Sequence, residues 1–161
     1  EANSLNNQPI RAGAVIGTHN GTILNADRLF KRYRLRRIAE TDSEFLFRFA
    51  DKKESIEDFT VCASDVRGGM SAVFTRTSAP DTVLVIKGNK PLTLWYHKGF
   101  RAVFYSSEEW PLEKVIGRSA DVAPLDVAPF TLSIFRTDDL LDFNQHDVFF
   151  IPGNLRDYSW S

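Results

Sequence analysis

The chain has 161 residues, of which 43% are hydrophobic and 25% charged, and its formal net charge at pH 7 is −1. This composition is typical of one globular domain with a sizeable core, and the near-zero charge argues against nucleic acid or an anionic membrane as partner. No apolar run reaches the ~18 residues that a membrane span requires, and no signal peptide is visible. The single cysteine, Cys62, excludes an internal disulfide framework. We therefore expect a cytoplasmic protein.

The first half of the chain predicts one strand followed by helices. The expected elements are a strand at about 14–18 and helices over 26–33, 42–52 and 55–63. The strand leads into an Asn-Gly corner at Asn20 and Gly21, because this residue pair readily accepts a positive φ. Asn25 is expected to cap the first helix, and Thr41 with Glu44 fits the capping-box spacing of the second. The amide-rich residues before the strand are expected to be irregular.

After the Gly68-Gly69 pair the pattern changes to short runs rich in β-branched and aromatic residues. Turn-forming residues separate these runs, which predicts an antiparallel meander. The expected elements are strands over 71–77, 82–87, 92–97 and 102–106, a helix over 108–116, and strands over 130–136 and 147–151. Helices that precede a run of antiparallel strands indicate an α+β fold.

Two motifs resemble the class II glutamine amidotransferases, whose glutaminase domain is an N-terminal-nucleophile (Ntn) hydrolase. They are Gly17–Asn25 (GTHNGTILN) and Glu40–Glu44 (ETDSE), and the resemblance extends from roughly Asn6 to Phe143. It implies an incomplete αββα four-layer sandwich, in which two antiparallel sheets lie between two helical layers. It also implies hydrolysis of the glutamine side-chain amide to glutamate and ammonia, with glutamine as the small-molecule substrate.

The resemblance gives roles to three residues. Asn20 is similar to the asparagine whose side-chain amide stabilises the oxyanion, and Gly21 to the residue whose backbone N–H is the second donor. Asp42 is similar to the carboxylate that binds the α-ammonium of the substrate. Each also has a simpler structural interpretation: Asn20-Gly21 is a common hairpin turn, and Asp42 is a residue type that often caps a helix.

The family's nucleophile is a cysteine at the mature N-terminus, whereas this chain begins with Glu1. The segment that carries an arginine for the substrate carboxylate is also not found, and the stretch 6–9 looks like the residues that follow it. We therefore expect residues 1–161 to be a single glutamine amidotransferase type 2-like domain whose N-terminal part is missing. A complementary N-terminal fragment or second chain would supply the nucleophile. The alternative is a non-catalytic amino-acid-binding or assembly module that keeps the fold.

Other candidate residues are interpreted as structural. Cys62 lies on an apolar helix face, which predicts an inert buried thiol. His19 is expected to be a positioned structural histidine, since the family uses the α-amine of its terminal cysteine as the base. His97 and His146 are isolated from each other, and neither has a Cys or carboxylate at the sequence spacing of metal ligands. Neither a metal nor another cofactor is therefore expected. The basic cluster between Arg28 and Arg37 has two interpretations. It is either a binding surface for phosphate or an acidic partner, or a solvated helix face followed by a strand.

Overall fold

The computed structural model describes residues 6–53, 55–136 and 146–149. The strands are β1 (Ile10–Ala12), β2 (Val15–Ile23), β3 (Gly68–Arg76), β4 (Ala79–Lys87), β5 (Thr93–His97), β6 (Ala102–Ser106), β7 (Val122–Leu125), β8 (Thr131–Arg136) and β9 (His146–Phe149). The helices are α1 (Ala26–Arg32), α2 (Glu44–Lys52), α3 (Ile56–Asp65) and α4 (Glu109–Val115). The predicted α+β class is confirmed, and β1 and β7 are additions to the predicted elements.

The strands form two antiparallel sheets. One has six strands in the order β1-β2-β3-β4-β8-β9, and the other has three in the order β6-β5-β7. The prediction of one continuous meander is therefore wrong, because the chain leaves the large sheet after β4, builds the small sheet, and returns to pair β8 with β4. Short amphipathic strands specify which side chains are buried, but they do not specify which sheet a strand joins.

One face of the large sheet packs against α1, α2 and α3. Alternate residues of β3, among them Met70 and Phe74, face this helical layer. An aromatic cluster joins the layers: the ring centroids of Phe49 and Phe59 are 5.4 Å apart, and those of Phe59 and Phe74 are 5.6 Å apart. Side chains of this size dominate core energetics, so the cluster fixes the helices on the sheet that carries β2.

The opposite face of the large sheet packs against the small sheet. Val73, Val85 and Phe135 of the large sheet are buried together with Leu94 of β5. Helix α4 follows β6 and packs beside it, with Leu112 buried. The layer order is therefore helices, sheet, sheet and one short helix, which confirms the predicted incomplete αββα sandwich. In the part of the chain that the structure describes, no helix is long and apolar enough to cross a membrane.

Candidate functional site

Asn20 and Gly21 lie inside β2 and not at its end. The pairing with β3 continues through Asn20–Ser71 and Gly21–Met70 to the last residue of the strand. The predicted corner is therefore wrong as a turn, although its positive φ is present, since Gly21 has φ 136°. The backbone of β3 comes so close that a Cβ on Gly21 would lie 2.1 Å from the Gly69 carbonyl oxygen. Only glycine fits this strand position without displacing its neighbour.

The Asn20 side chain projects from the face of β2 that looks toward the small sheet. Its Nδ2 donates a hydrogen bond to the Pro91 carbonyl oxygen at 3.0 Å. It borders an open cavity of about 260 Å³ between the sheets, whose lining includes Thr18, Ser71, Leu92 and Tyr105. A carboxamide nitrogen carries two hydrogens, so Pro91 orients the group and leaves one N–H available. An amide oriented in this way has one N–H that can donate to an anionic oxygen in the cavity.

Backbone direction along β2 determines where the Gly21 N–H points. In an antiparallel strand, alternate residues direct their N–H groups to opposite edges. At even positions the N–H faces β3, since Leu24 N donates to the Arg67 carbonyl at 2.9 Å. At odd positions it faces the other edge, where His19 N donates to Gln8 Oε1 at 2.6 Å and Gln8 Nε2 donates to the His19 carbonyl at 2.7 Å.

Gly21 consequently presents its N–H at the edge of β2 that β3 does not cover. Two residues further along the same edge, Ile23 N donates to a carboxylate oxygen of Asp42. The alternation therefore persists through the positive-φ glycine. The structure brings the three sequence-predicted site residues together along one short stretch: the Asn20 amide on the face of the strand, and the Gly21 N–H and the Asp42 carboxylate at its edge.

Asp42 connects the helical layer to β2. One of its oxygens accepts from Ile23 N, and the other accepts from Ser43 N at 2.9 Å. Neither hydrogen bond satisfies an N–H group inside the first turn of α2, so helix capping does not account for this carboxylate. A carboxylate oxygen has more than one acceptor site, and Asp42 is only partly buried. It retains the capacity to accept hydrogen bonds from a ligand ammonium.

The predicted capping box is wrong. Ser43 precedes α2 and makes no side-chain capping bond. Glu44 is itself the first helical residue, and its buried carboxylate accepts from Ile38 N at 2.9 Å and Ala39 N at 2.7 Å. The Thr41–Glu44 spacing matched the motif, but the Glu44 carboxylate accepts hydrogen bonds from backbone N–H groups of the preceding loop instead. This loop is thereby fixed next to Asp42.

His19 is in the interior, as the structural interpretation expects. Only 5% of it is exposed, and its Nδ1 lies 2.8 Å from Ser43 Oγ. Burial lowers the pKa of His19, while the Asp42 carboxylate and the Gly69 carbonyl partly oppose this shift. Nε2 is buried and makes no hydrogen bond of ordinary geometry to the described residues. A neutral imidazole that joins β2 to the start of α2 explains these observations.

Cys62 is an inert residue of the core, as predicted. It lies in α3 with 2% of its surface exposed. Burial raises the pKa of its thiol, and the nearby carboxylates of Asp65 and Asp58 raise it further. Since the thiolate is the reactive form, this thiol has neither the access nor the ionisation that a nucleophile needs.

The basic cluster after β2 is largely a solvated surface. Arg32 forms an ion pair with Asp65 at 3.3 Å, and Arg37 pairs with Asp27. The residues that follow α1 form no strand, contrary to the prediction, because this segment is held by the Glu44 carboxylate and not by a sheet. In the described ranges, no group of three or more His, Cys, Asp or Glu side chains is arranged to hold a metal ion.

Sequence reasoning missed three contributors to this region: Gln8, Ser43 and Pro91. Gln8 lies 11 positions before the residue that it binds, and Pro91 lies 71 positions after Asn20. Pro91 contributes only a backbone carbonyl, which any residue type has. Gln8 lies in an amide-rich stretch without periodicity, so its role has no signature in a single sequence.

Comparison with known proteins gives matches of limited extent. No protein-family model matches the chain. It is 26% identical to the 7-cyano-7-deazaguanine synthase of Sulfolobus acidocaldarius, 28% to 7-cyano-7-deazaguanine synthase 2 of Sulfurisphaera tokodaii and 29% to the synthase of Saccharolobus solfataricus, in each case over 102 residues. Each match covers 62% of this chain and 22% of the relative. The chain thus spans about a fifth of the length of these curated relatives.

Solved structures show a more extensive similarity. Glutamine phosphoribosylpyrophosphate amidotransferase from B. subtilis superimposes with a TM-score of 0.67 at 17% identity, over 94% of this chain and 33% of that one. The chain therefore has the same fold as the matched part of this amidotransferase. An allosteric regulatory enzyme of purine biosynthesis gives a TM-score of 0.63 at 19% identity, over 91% of this chain and 31% of that one. A glutamine aminotransferase class-II domain protein from Silicibacter pomeroyi gives 0.52 at 16% identity, over 88% and 70%.

Proposed function

We propose that this chain is the larger part of a glutamine amidotransferase domain, which hydrolyses the side-chain amide of glutamine to glutamate and ammonia. The observation that carries the proposal is the stretch of β2 from Asn20 to Ile23. A side-chain amide oriented by Pro91, a backbone N–H at an uncovered edge and a carboxylate at the same edge occur within four residues. Two donors and one anion suit a substrate that has a reacting carbonyl at one end and an ammonium at the other.

The proposed roles follow the charge changes of amide hydrolysis. A nucleophile attacks the side-chain carbonyl carbon of glutamine, and the carbonyl oxygen becomes an oxyanion that accepts from Asn20 Nδ2 and Gly21 N. The intermediate collapses, the C–N bond breaks, and the nitrogen leaves as ammonia after it takes up the proton that the base removed from the nucleophile. Water then hydrolyses the acyl-enzyme to glutamate. Asp42 holds the α-ammonium throughout, so it contributes to binding more than to the chemical step.

We infer that the nucleophile of this reaction comes from residues outside these 161. Cys62 is the only cysteine in the sequence, and it is buried in α3 with its thiol pKa raised. An N-terminal segment or a second chain that carries a cysteine with a free α-amine would supply both nucleophile and base. The proposed site is then complete only when that segment lies at the uncovered edge of β2.

A non-catalytic amino-acid-binding or assembly module is the second candidate function. It is favoured by the inaccessibility of Cys62, because the chain itself has no reactive thiol. The second function predicts binding of an amino acid or of a partner without glutamate release, whereas the first predicts glutamate release by the full-length protein. Product formation therefore distinguishes them.

We further infer that the ammonia supports a nitrogen-consuming reaction elsewhere in the full-length protein or in a partner. The product in the names of the three curated relatives contains a cyano group, whose nitrogen requires a donor. Ammonia released from glutamine is a donor of the appropriate kind. The matched region is about a fifth of each relative, so a separate part of such a protein would use the ammonia.

Replacing Asp42 with Asn tests the proposed ammonium site. Asn keeps one oxygen for Ile23 N but removes the negative charge, and a hydrogen bond to a charged group is worth about 1.5–3 kcal/mol. We expect the KM for glutamine to rise about 10- to 100-fold, the equivalent of that energy, with a smaller change in kcat. Steady-state kinetics of the full-length protein measures both values. Asp27→Asn, which removes an exposed carboxylate from α1, is the matched control, and an unchanged KM in Asp42→Asn would refute the assignment.

A further inference from the structure

We propose that Gln8 is a positioning residue for the oxyanion donors of β2, an inference that rests on the proposed function. Its side chain makes two hydrogen bonds with the backbone of a single residue, His19. Oε1 accepts from His19 N at 2.6 Å, and Nε2 donates to the His19 carbonyl at 2.7 Å. Gln8 does not lie in β1, so this contact is additional to the sheet.

The Gln8 carboxamide takes the place of a neighbouring strand. β1 pairs with β2 only from Ala12–Val15 to Ile10–Gly17. Beyond that point, no described strand pairs with this edge of β2. A carboxamide offers an N–H donor and a carbonyl acceptor in the same plane, as a peptide group does, and can therefore replace one residue of a strand. It holds His19 in the extended conformation without covering the edge further along.

Gly21 lies midway between two side-chain anchors on this edge. Gln8 binds the backbone at His19, and Asp42 accepts from Ile23 N. Glycine has the greatest backbone freedom of all residues, so the direction of its N–H depends on what holds its neighbours. The two anchors thus fix the N–H to which the oxyanion is assigned. The residue that Gln8 binds, His19, is the neighbour of Asn20, and both of these hydrogen bonds of Gln8 go to His19 and not to a proposed donor.

The consequence is a specific kinetic pattern. Loss of Gln8 leaves Asp42 and its bond to Ile23 in place, so substrate binding should change little. A misaligned oxyanion donor weakens an interaction that is fully formed only in the transition state. The inference therefore predicts that Gln8→Leu lowers kcat about 10-fold and leaves KM within about twofold of wild type, the pattern for a group that acts only in the transition state.

Asn6 offers a matched control because its side-chain amide also makes two hydrogen bonds with a single residue, Glu40. Glu40 N donates to Asn6 Oδ1 at 3.0 Å, and Asn6 Nδ2 donates to Glu40 Oε2 at 3.3 Å. Asn6→Leu removes an amide with two hydrogen bonds from the same N-terminal segment, but it leaves β2 unaffected. We expect its kcat to stay near wild type.

Gln8→Glu supplies a readout that a merely structural role would not change. An ionised glutamate accepts from His19 N but repels the His19 carbonyl, whereas a protonated glutamate donates to it as glutamine does. The kcat of Gln8→Glu, expressed relative to wild type at the same pH, should therefore rise as the pH falls from about 8 to 5, toward the carboxyl pKa. A pH-independent ratio would contradict the proposal.

NMR relaxation of the isotope-labelled full-length protein tests the inference without relying on catalysis. The order parameter of the Gly21 amide should fall from about 0.85 to below 0.6 in Gln8→Leu and stay high in Asn6→Leu. If the wild-type protein releases no glutamate, the proposed function fails, and the Gly21 order parameter alone decides the role of Gln8. An unchanged order parameter, or a Gln8→Leu kcat equal to that of Asn6→Leu in an active enzyme, would overturn the inference.

Discussion

Substitution of Asn20 by Ala is expected to lower the rate of glutamate formation by the full-length protein ~10²- to 10³-fold, the usual cost of losing one oxyanion donor. The effect should fall on kcat, because the amide is assigned to a charge that exists only in the transition state. The fold should survive, since the hydrogen bond of Asn20 goes to the carbonyl of Pro91 in a loop. Steady-state kinetics and thermal unfolding of the same preparation check both expectations.

Thr18→Val is the matched control for Asn20→Ala. Thr18 projects from the same face of β2 into the same cavity, and its Oγ1 donates to the Tyr105 hydroxyl at 3.0 Å. Valine preserves its shape and removes the polar atom, but Thr18 has no role at the reacting carbonyl. We expect activity near wild type. Wild-type turnover in Asn20→Ala, or equal losses in both variants, would contradict the oxyanion assignment.

Gly21→Ala is expected to reduce the free energy of unfolding by about 2–6 kcal/mol, the sum of backbone strain and steric overlap. An L residue rarely adopts φ 136°, and its Cβ would lie 2.1 Å from the Gly69 carbonyl oxygen. The obstacle is backbone in the middle of a sheet, so it cannot rotate away. Denaturant unfolding monitored by circular dichroism measures the loss.

Gly117→Ala separates backbone strain from steric overlap. Gly117 also has a positive φ, 73°, but nothing lies within 4 Å of a Cβ placed there. We expect this variant to lose about 1–2 kcal/mol, the cost of a left-handed conformation for a residue with a Cβ. If Gly21→Ala lost no more than Gly117→Ala, the close approach of β3 at Gly69 would not limit the residue at this position.

Much of the fold was predictable because its signals are local. Ser55 lies just before α3, and its side chain accepts from Asp58 N at 3.1 Å, the hydrogen bond that its residue type predicts. Asn25 precedes α1 as expected, but its side chain donates to the Asp65 carbonyl at 2.9 Å and accepts from Arg67 N at 2.9 Å. The residue type thus located the start of the helix, whereas tertiary contacts decided what its side chain binds.

The candidate site was predictable only in part, because it depends on contacts between distant residues. The motifs located Asn20, Gly21 and Asp42. They did not indicate that Asn20-Gly21 continues a strand, since this depends on the close approach of the β3 backbone at Gly69, which Gly21 allows because it has no Cβ. The two anchors of the β2 edge arise from residues 11 and 19 positions away from their partners. Such pairings follow from sheet topology, which a single sequence does not encode locally.

The measurement that tests the proposed function most directly is the release of glutamate and ammonia from L-glutamine by the full-length protein, with calorimetric binding of L-glutamine measured on the same sample. The proposal predicts equimolar glutamate and ammonia, both abolished by a glutamine analogue with an electrophile in place of the amide. Binding of L-glutamine without release of either product would contradict the hydrolytic function and leave the chain as an amino-acid-binding module.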